Sequence, residues 1–326
     1  MPVTIYEIAA RAGVSSSTVA RVLRGDVKGA SRGSAHRVAQ IRRLAEEMGY
    51  RRNWRARAFS KCKTHAVGLF HAHTDWICEG TMGEIAGAFT DRMHDLGYHV
   101  VIVPYDERGQ WHELLADGRL DGVAVSHYLP DDARPVLQDS GLPRVLLMGD
   151  SDQWPCVLTD DVGGARAATT RLVELGHRRI AMYLHDTIRP HFSVEDRRAG
   201  YEQAMAAAGL EATEFWRLPE ERLGEMLLRP DRPTAVLCYC HVEAMAVYLF
   251  AWQHGLRIPQ DLSVVAFNDL YAVRYMTPPL STMGFNTRRI GAAGAEFDSG
   301  PAANNEAFKK TGNARLGIFA LLDLLV

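Results

Sequence analysis

The sequence is poor in the features that mark several large protein classes. Its five cysteines, at positions 62, 78, 156, 238 and 240, are odd in number and scattered, which suits reduced thiols rather than a disulfide framework. No apolar run is long enough to span a membrane. The N-terminus, "MPVTIYEIAARAG", carries an acid early and has no signal-peptide apolar core, so a cytoplasmic location is expected. A Gly-rich phosphate loop, a nucleophile elbow and a metal-ligand set are all missing, so no catalytic residue, cofactor or metal site is expected. Cys238-x-Cys240-His241 is too tight for a zinc knuckle and has no second cluster at a matching spacing. On a strand, those two cysteines share a face while His241 points away.

What the chain does have is length and an uneven charge. At 326 residues it is too long for one ordinary core and suggests two or three domains. Its 47% hydrophobic and 23% charged content is that of a globular protein. The net charge of −2 hides an asymmetry. Residues 1–63 hold 14 lysines and arginines against four acids, a surplus of ten, whereas the remainder holds 23 against 35. A basic head on an acidic body is the footprint of a nucleic-acid binder whose body stays off the phosphates.

The pattern within the head supports that footprint. Thr4 with Glu7 has the spacing of a capping box, and Ile5, Ile8, Ala9 and Ala12 give one apolar helical face. Gly13 suits the left-handed residue that ends a helix. Val14 fills a turn, Ser15 caps a second helix, and Thr18, Val19 and Val22 resume helical spacing. Ser34 is expected to cap a third helix whose buried stripe is Val38, Ile41, Leu44, Ala45 and Met48. Two short helices joined by a glycine turn make a helix-turn-helix, whose second helix enters the DNA major groove. Ser16, Ser17 and Arg21 would face outward there. Arginine reads guanine through two hydrogen bonds, and serine is an undiscriminating partner. Ordinary solvent exposure on a small bundle is the plainer alternative.

The stretch "VTIYEIAARAGVSSSTVARVL" resembles the DNA-binding head of the LacI/GalR (lactose-repressor) family of bacterial transcription regulators. The resemblance implies that Ser16, Ser17 and Arg21 contact bases, within a DNA-facing set completed by Thr4, Tyr6, Ser15 and Thr18. Two serines stand where many members carry larger readers, and "RGDVKGAS" is one residue longer than the family's matching segment, so the operator sequence does not carry over. The family's hinge, commonly Asn-x-x-Ala-Arg-x-Leu, reads here Asn53-Trp54-Arg55-Ala56-Arg57-Ala58-Phe59. By resemblance, two such hinges form short helices on DNA and push a side chain from each subunit into the minor groove. Phe59 holds the leucine position, a competent wedge between base steps. Arg55 and Arg57 suit the negative potential of that groove, and Arg52 replaces the usual proline. Alternatively, Trp54 and Phe59 pack against the body.

From residue 65 onward strands and helices alternate: "HAVGLF", "MGEIAGAFTDRMHDLGY", "HVVIVPY", "LADGRLDGVAVS" and "GLPRVLLMG", the last strand closing one parallel set. "DDVGGARAATTRLVELGHRRIAMYL", "RRAGYEQAMAAAGL", "PTAVLCYC", "HVEAMAVYLFAWQHGLRIP" and "LSVVAFND" build a second. Alternation of this kind means parallel sheets with helices on both faces and ligands at the strands' carboxyl ends. The landmarks "LDGV", "LVELGHRRIA", "DRRAGYEQAM", "GLRIPQDLSVVAFND" and "TPPLST" also resemble that family, in its order, so that the likeness spans roughly residues 3 to 296. The expected fold class is therefore α/β. An all-α helix-turn-helix domain (1–50) and a hinge (51–63) precede a two-lobed, periplasmic-binding-protein-like core of two parallel-sheet subdomains. The first lobe takes 64–159 and about 283–297, and the second takes 160–282. Residues 298–326 form an atypical C-terminal segment. "DSGPAANNEAFKKTGNARLGIFALLDLLV" lacks the closing strand expected to pass back between lobes. Its "LGIFALLDLLV" reads either as an apolar helix or as sequence foreign to the family.

The candidate effector residues are Trp76, Arg197, His241, Asn268 and Asp269. Arg197 begins "RRAGY" at a helix start, and its guanidinium fork suits paired oxygens; the matching family residue holds effector hydroxyls or carboxylate. Asn268 and Asp269 end a buried strand, where they either accept from sugar hydroxyls or merely shape a turn. Trp76 either stacks on a sugar ring or packs in the core, and the loop carrying it, "HAHTDWICEG", is two residues short. His241 either bonds a ligand or is structural; with Cys240 it replaces the family's common Asn-Asp. Asp160 and Asp161 are read as caps of the following helix. The expected function is a DNA-binding transcriptional regulator, usually a repressor, acting at the nucleoid. It binds a palindromic operator on double-stranded DNA as a homodimer under a small-molecule effector, sugar or nucleoside by family analogy. The competing readings are a cytoplasmic solute-binding protein and a regulator impaired by altered C-terminal assembly.

Overall fold

Thr4 has extended backbone angles (φ −107°, ψ 161°) and closes the expected capping box. The Glu7 amide donates to Thr4 Oγ1 at 3.4 Å, and the Thr4 amide donates to Glu7 Oε2 at 2.7 Å. These bonds satisfy two of the donors that a helix start leaves open. Helix α1 (Ile5–Ala12) ends at Gly13, whose φ of 64° only glycine adopts without strain. Ser15 then caps α2 (Ser16–Arg24), and α3 (Arg32–Glu47) crosses both. Ile8, Ala9, Val19, Val22, Ile41 and Ala45 are the buried centre of this small bundle. The expectation that Ser34 caps α3 is corrected: Arg32 and Gly33 are already helical, so Ser34 lies within the first turn.

The computed structural model describes residues 3–25, 32–51, 63–71, 80–105, 109–127, 131–151, 154–188, 191–298, 313–316 and 319–322. The chain divides into two compact units, Met1–Lys63 and Thr64–Val326. The hinge residues Asn53, Arg55, Ala56, Arg57 and Phe59, and the loop residue Trp76, lie outside the described residues.

The second unit is built on two six-stranded sheets. Its strands are β1 (Ala66–His71), β2 (His99–Pro104), β3 (Gly122–Ser126), β4 (Arg144–Leu147), β5 (Cys156–Thr159), β6 (Ile180–Leu184), β7 (Thr213–Trp216), β8 (Ala235–Cys238), β9 (Ser263–Phe267), β10 (Ser281–Phe285), β11 (Asn313–Leu316) and β12 (Phe319–Leu322). The first sheet runs β11-β5-β4-β3-β1-β2 and the second β12-β10-β9-β8-β6-β7. All pairs are parallel except β10 with β12. Strands β3 and β6 are buried at every residue, as strands covered by helices on both faces must be.

The helices are α4 (Gly80–Asp95), α5 (Gln110–Ala116), α6 (Ala133–Asp139), α7 (Asp161–Glu174), α8 (Phe192–Ala207), α9 (Leu223–Leu227), α10 (His241–Gln253) and α11 (Thr287–Asp298). Two glycines set close helix approaches. A Cβ at Gly200 of α8 would collide with the Val162 carbonyl of α7, and one at Gly291 of α11 with the Ile85 carbonyl of α4. These contacts show where the chain changes lobe. After β5 in the first sheet it enters α7, which packs on α8; after β10 in the second sheet it enters α11, which packs on α4 and β4.

The third crossing corrects two expectations. Residues 313–316 add β11 to the first sheet and residues 319–322 add β12 to the second. The C-terminal segment therefore supplies a strand to each sheet, where an apolar helix was one reading and the closing strand was thought absent. Nor does β4 close its set, because β5 and β11 pair beyond it.

Candidate functional sites

The first site is the outer face of α2. Burial of Val19 and Val22 fixes which side of that helix meets α1 and α3 and leaves Ser17 and Arg21 exposed, with Ser16 half-buried beside them. Ser15 Oγ lies 2.9 Å from both Ser17 Oγ and Thr18 Oγ1 and accepts from the Thr18 amide. The serine-rich start of α2 is thus ordered by its own cap. On α1, Tyr6 is 71% exposed. The set Thr4, Tyr6, Ser15, Ser16, Ser17, Thr18 and Arg21 falls on the first two helices and the turn between them, which is the scaffold a helix-turn-helix uses to present a reading helix.

The second site lies where the carboxyl ends of the sheets converge. Arg197, on the second turn of α8, is buried. Its Nε donates to Asp161 Oδ1 at 2.7 Å, and an Nη donates to the Tyr239 carbonyl at 2.5 Å. The guanidinium also stacks over the rings of Phe267 (4.0 Å) and Tyr239 (4.6 Å). Burial opposes its charge, but its surroundings, Asp161 foremost, favour it, and the Arg197 pKa is raised. Asp161 is fully buried and also accepts from Thr159 Oγ1. This corrects its reading as a helix cap. The cap of α7 is Asp160, whose carboxylate takes the Gly163 amide at 3.0 Å, while Asp161 turns inward as the counter-ion.

Asn268 follows β9 with φ 75°, a left-handed conformation that asparagine tolerates. Asp269 accepts from Arg274 Nη2 at 2.8 Å and from Thr282 Oγ1 at 3.3 Å. Both border an open cleft of about 590 Å³ whose other wall includes Thr81 and Glu84 of α4. Also lining the cleft, Thr287 Oγ1 at the start of α11 donates to Glu84 Oε2 at 2.7 Å. His241 starts α10 half-buried, and burial lowers its pKa. Its Nδ1 is enclosed with no hydrogen-bond partner among the described residues. Cys240 precedes it as the α10 cap, and its amide is held by Glu243 Oε2 at 2.9 Å.

Arg197 and His241 therefore stand at the second lobe's strand ends, and Asn268 and Asp269 on the cleft wall. The residues that sequence reasoning missed are His127, His191, Ser193 and Tyr239. His191 caps α8 with its ring, an unusual cap whose only sequence signal is a polar loop ahead of "SVEDRR". Ser193 Oγ bonds Tyr239 Oη at 2.8 Å, linking that cap to the end of β8.

Two family models match parts of the chain. Residues 4–53 match the bacterial regulatory proteins of the lacI family, and residues 169–297 match the periplasmic binding protein-like domain. The HTH-type transcriptional regulator DegA of Bacillus subtilis (strain 168) is 27% identical over 310 residues, covering 90% of this chain and 89% of its own. The HTH-type transcriptional repressor PurR of Vibrio campbellii is 26% identical over 308 residues, 88% of each chain. Among solved structures, a lac repressor dimer bound to operator and the anti-inducer ONPF superposes with a TM-score of 0.77 at 24% identity over 98% of both chains. A complex of the regulator CelR with cellobiose gives 0.66 at 24% identity, again over 98% of both.

Proposed function

We propose that this chain, whose residues 4–53 match the lacI family of bacterial regulatory proteins and whose residues 169–297 match the periplasmic binding protein-like domain, is a transcriptional repressor of that family. In this reading it binds a palindromic operator as a homodimer, inside the bacterial cell at the nucleoid, and does not act as an enzyme. A small-molecule effector held between the two lobes controls it. The observation that carries the reading is the pairing of a complete, capped helix-turn-helix with a body whose chain crosses three times between two parallel sheets. Such a body opens and closes by rotation about its crossings, and ligand shifts operator affinity only by binding the two states unequally.

The relatives share this logic in their names: PurR is called a repressor, and the CelR complex holds cellobiose. A neutral, hydroxyl-rich effector, sugar or nucleoside, suits a cleft where Asn268 and Asp269 offer acceptors and donors. Arg197 already gives two of its hydrogen bonds to Asp161 and Tyr239, so we assign it the role of shaping that wall and presenting its remaining donors. Trp76 and His241 complete the proposed effector set. The hinge residues Asn53, Arg55, Ala56, Arg57 and Phe59 keep their proposed minor-groove role.

A homodimer needs a self-complementary surface. Helix α10 offers one: Val242, Met245, Leu249 and Trp252 are 52%, 44%, 53% and 79% exposed and recur at three- and four-residue spacing. Its opposite face, with Ala244, Val247 and Ala251, is buried in the lobe. An exposed apolar stripe of that spacing is the pattern that packs against a partner helix.

Arg21→Ala tests base reading. Specific operator binding should weaken by about 1–3 kcal/mol, roughly 5- to 150-fold, while binding to random duplex falls far less. Competition titrations at fixed salt measure both, and equal loss of the two would sink the assignment. The salt slope should fall by about one if Arg21 touched only phosphate.

A further inference from the structure

One imidazole ties the second sheet to the first. His191 Nδ1 accepts from the Ser193 amide at 3.4 Å and pairs with Ser193 Oγ at 2.7 Å. With Nδ1 accepting, the ring proton sits on Nε2. That nitrogen donates across the lobes to the Met148 carbonyl, 2.9 Å away just after β4. The same ring stacks on His127, which follows β3, with centroids 4.2 Å apart and planes 14° apart. Behind it a buried chain runs on: Ser193 Oγ to Tyr239 Oη, the Tyr239 carbonyl to Arg197, Arg197 to Asp161, and Asp161 to Thr159 at the end of β5. Because β4 and β5 are paired neighbours, the circuit leaves the first sheet at one strand and returns to it at the next. The second lobe is threaded between.

We propose that His191 is a proton-sensitive latch: its neutral ring holds the two lobes together, and protonation releases them, so that acid opens the body. An imidazolium has no lone pair on Nδ1, so it would set an N–H against the Ser193 amide and break the cap as it charges. The Met148 carbonyl favours a positive charge on the ring, but burial and the Arg197 charge oppose it. Among the described residues the titratable and charged groups placed about it are His127, stacked on the ring from the end of β3, and Arg197 from its own helix, with Tyr239 at the end of β8 reached through Ser193. Asp161, the acid of the circuit, is already engaged by Arg197 and Thr159. Glu195 and Asp150, the acids nearest in sequence on either side of the contact, are exposed.

The sign follows from burial. In the closed body, burial first and then the Arg197 charge push the His191 pKa down to about 4, against the hydrogen bond to Met148. Opening returns the ring to water and to an ordinary pKa of about 6.5. Protons then bind the open body better than the closed one. The latch is intact above about pH 7 and weakens as pH falls through the open-state value, shifting the lobe equilibrium toward opening about 10-fold by pH 5.5. The inference rests on the reading that the lobes move relative to one another, and not on what the head binds.

The test uses the full chain. Small-angle scattering between pH 7.5 and 5.5 follows lobe opening, and carbon NMR of the histidine Cε1 signals follows the ring. His191→Gln keeps a donor within reach of the Met148 carbonyl and cannot titrate; it also identifies the His191 signal by its loss. Wild type should expand on acidification while the Gln variant does not, and the His191 ring should titrate below about pH 5. Equal expansion of both chains, no expansion of either, or a ring titrating near 6.5 would overturn the latch. Should the variant not fold, the wild-type titration alone decides. Gel retardation on duplex DNA at pH 7.5 separates the two readings. Loss of DNA binding with the acid response intact counts against the repressor alone, and DNA binding without the response counts against the latch alone.

Discussion

Arg197→Ala should destabilise the effector body by about 3–5 kcal/mol, the usual consequence of removing one partner of a buried ion pair. The pair is as buried as any in the described chain: the side chains of Arg197 and Asp161 are 5% and 0% exposed. Without the guanidinium, the Asp161 carboxylate stays buried with Thr159 as its one remaining side-chain donor among the described residues, and the Tyr239 carbonyl loses the Arg197 donor. Packing is lost as well, because the arginine fills the space over Phe267 and Tyr239. For a body of this length each kcal/mol is worth roughly 2–4 °C, so calorimetry should show the body's transition falling by about 6–20 °C. Arg197→Ala combined with Asp161→Asn should recover part of the loss, since the double variant buries no unpaired charge. Arg197→Lys should rescue poorly, because an ammonium cannot span both acceptors with the guanidinium's fixed fork. A loss below about 1 kcal/mol would mean that water reaches Asp161 and that the pair is not a structural element of the cleft.

Leu249→Arg should convert the proposed dimer to monomers. Leu249 stands within the α10 stripe and is 53% exposed in the single chain, between Met245 and Trp252. Two copies related by a two-fold axis would place a pair of new charges at the centre of a desolvated contact, where they repel and find no partner. Folding of the monomer should be little affected, because the side chain is more than half exposed. Binding to a two-half-site operator should then fall by about 10²–10⁴-fold, the gain that linking two heads provides, while binding to a single half-site stays constant. Sedimentation equilibrium and retardation assays read the two effects. A variant that remains dimeric would move the interface elsewhere, with the exposed Val101 and Ile102 of edge strand β2 as the next surface to alter.

Much of this architecture was legible because the head's signals are local. The Thr4–Glu7 spacing, Gly13 and Ser15 each specify a cap within four residues, and the structure places each there. Ser34 misled for the same reason: a serine suits a cap, yet the helix gains another turn's start at Arg32. In the body, helices announced themselves by period and the buried strands as apolar runs, whereas "TEFW" of β7 and "STMGF" of β10 mix polar residues into theirs. The closing strands are four residues each, and "FALL" takes its form from pairing with β10, a partner more than thirty residues back. Local sequence carries no trace of such a pairing.

The effector site was legible as a set of positions and not as a circuit. Adjacent Asp160 and Asp161 look equivalent in sequence. Only the fold shows that one caps α7 while the other meets Arg197 thirty-six residues later. Likewise nothing in "HFSVED" reveals that His191 reaches the carbonyl of Met148 in the other lobe. Lobe-to-lobe contacts depend on two sheets meeting, and they are invisible to any window along the chain.

The central claim, that the chain reads a palindromic operator as a homodimer, is tested most directly by selecting the purified protein against random duplex DNA at physiological salt and sequencing what is retained. The account predicts enrichment of one palindrome, two inverted half-sites about a readily kinked centre. Retention without enrichment of any sequence, or of a single unrepeated half-site, would contradict it.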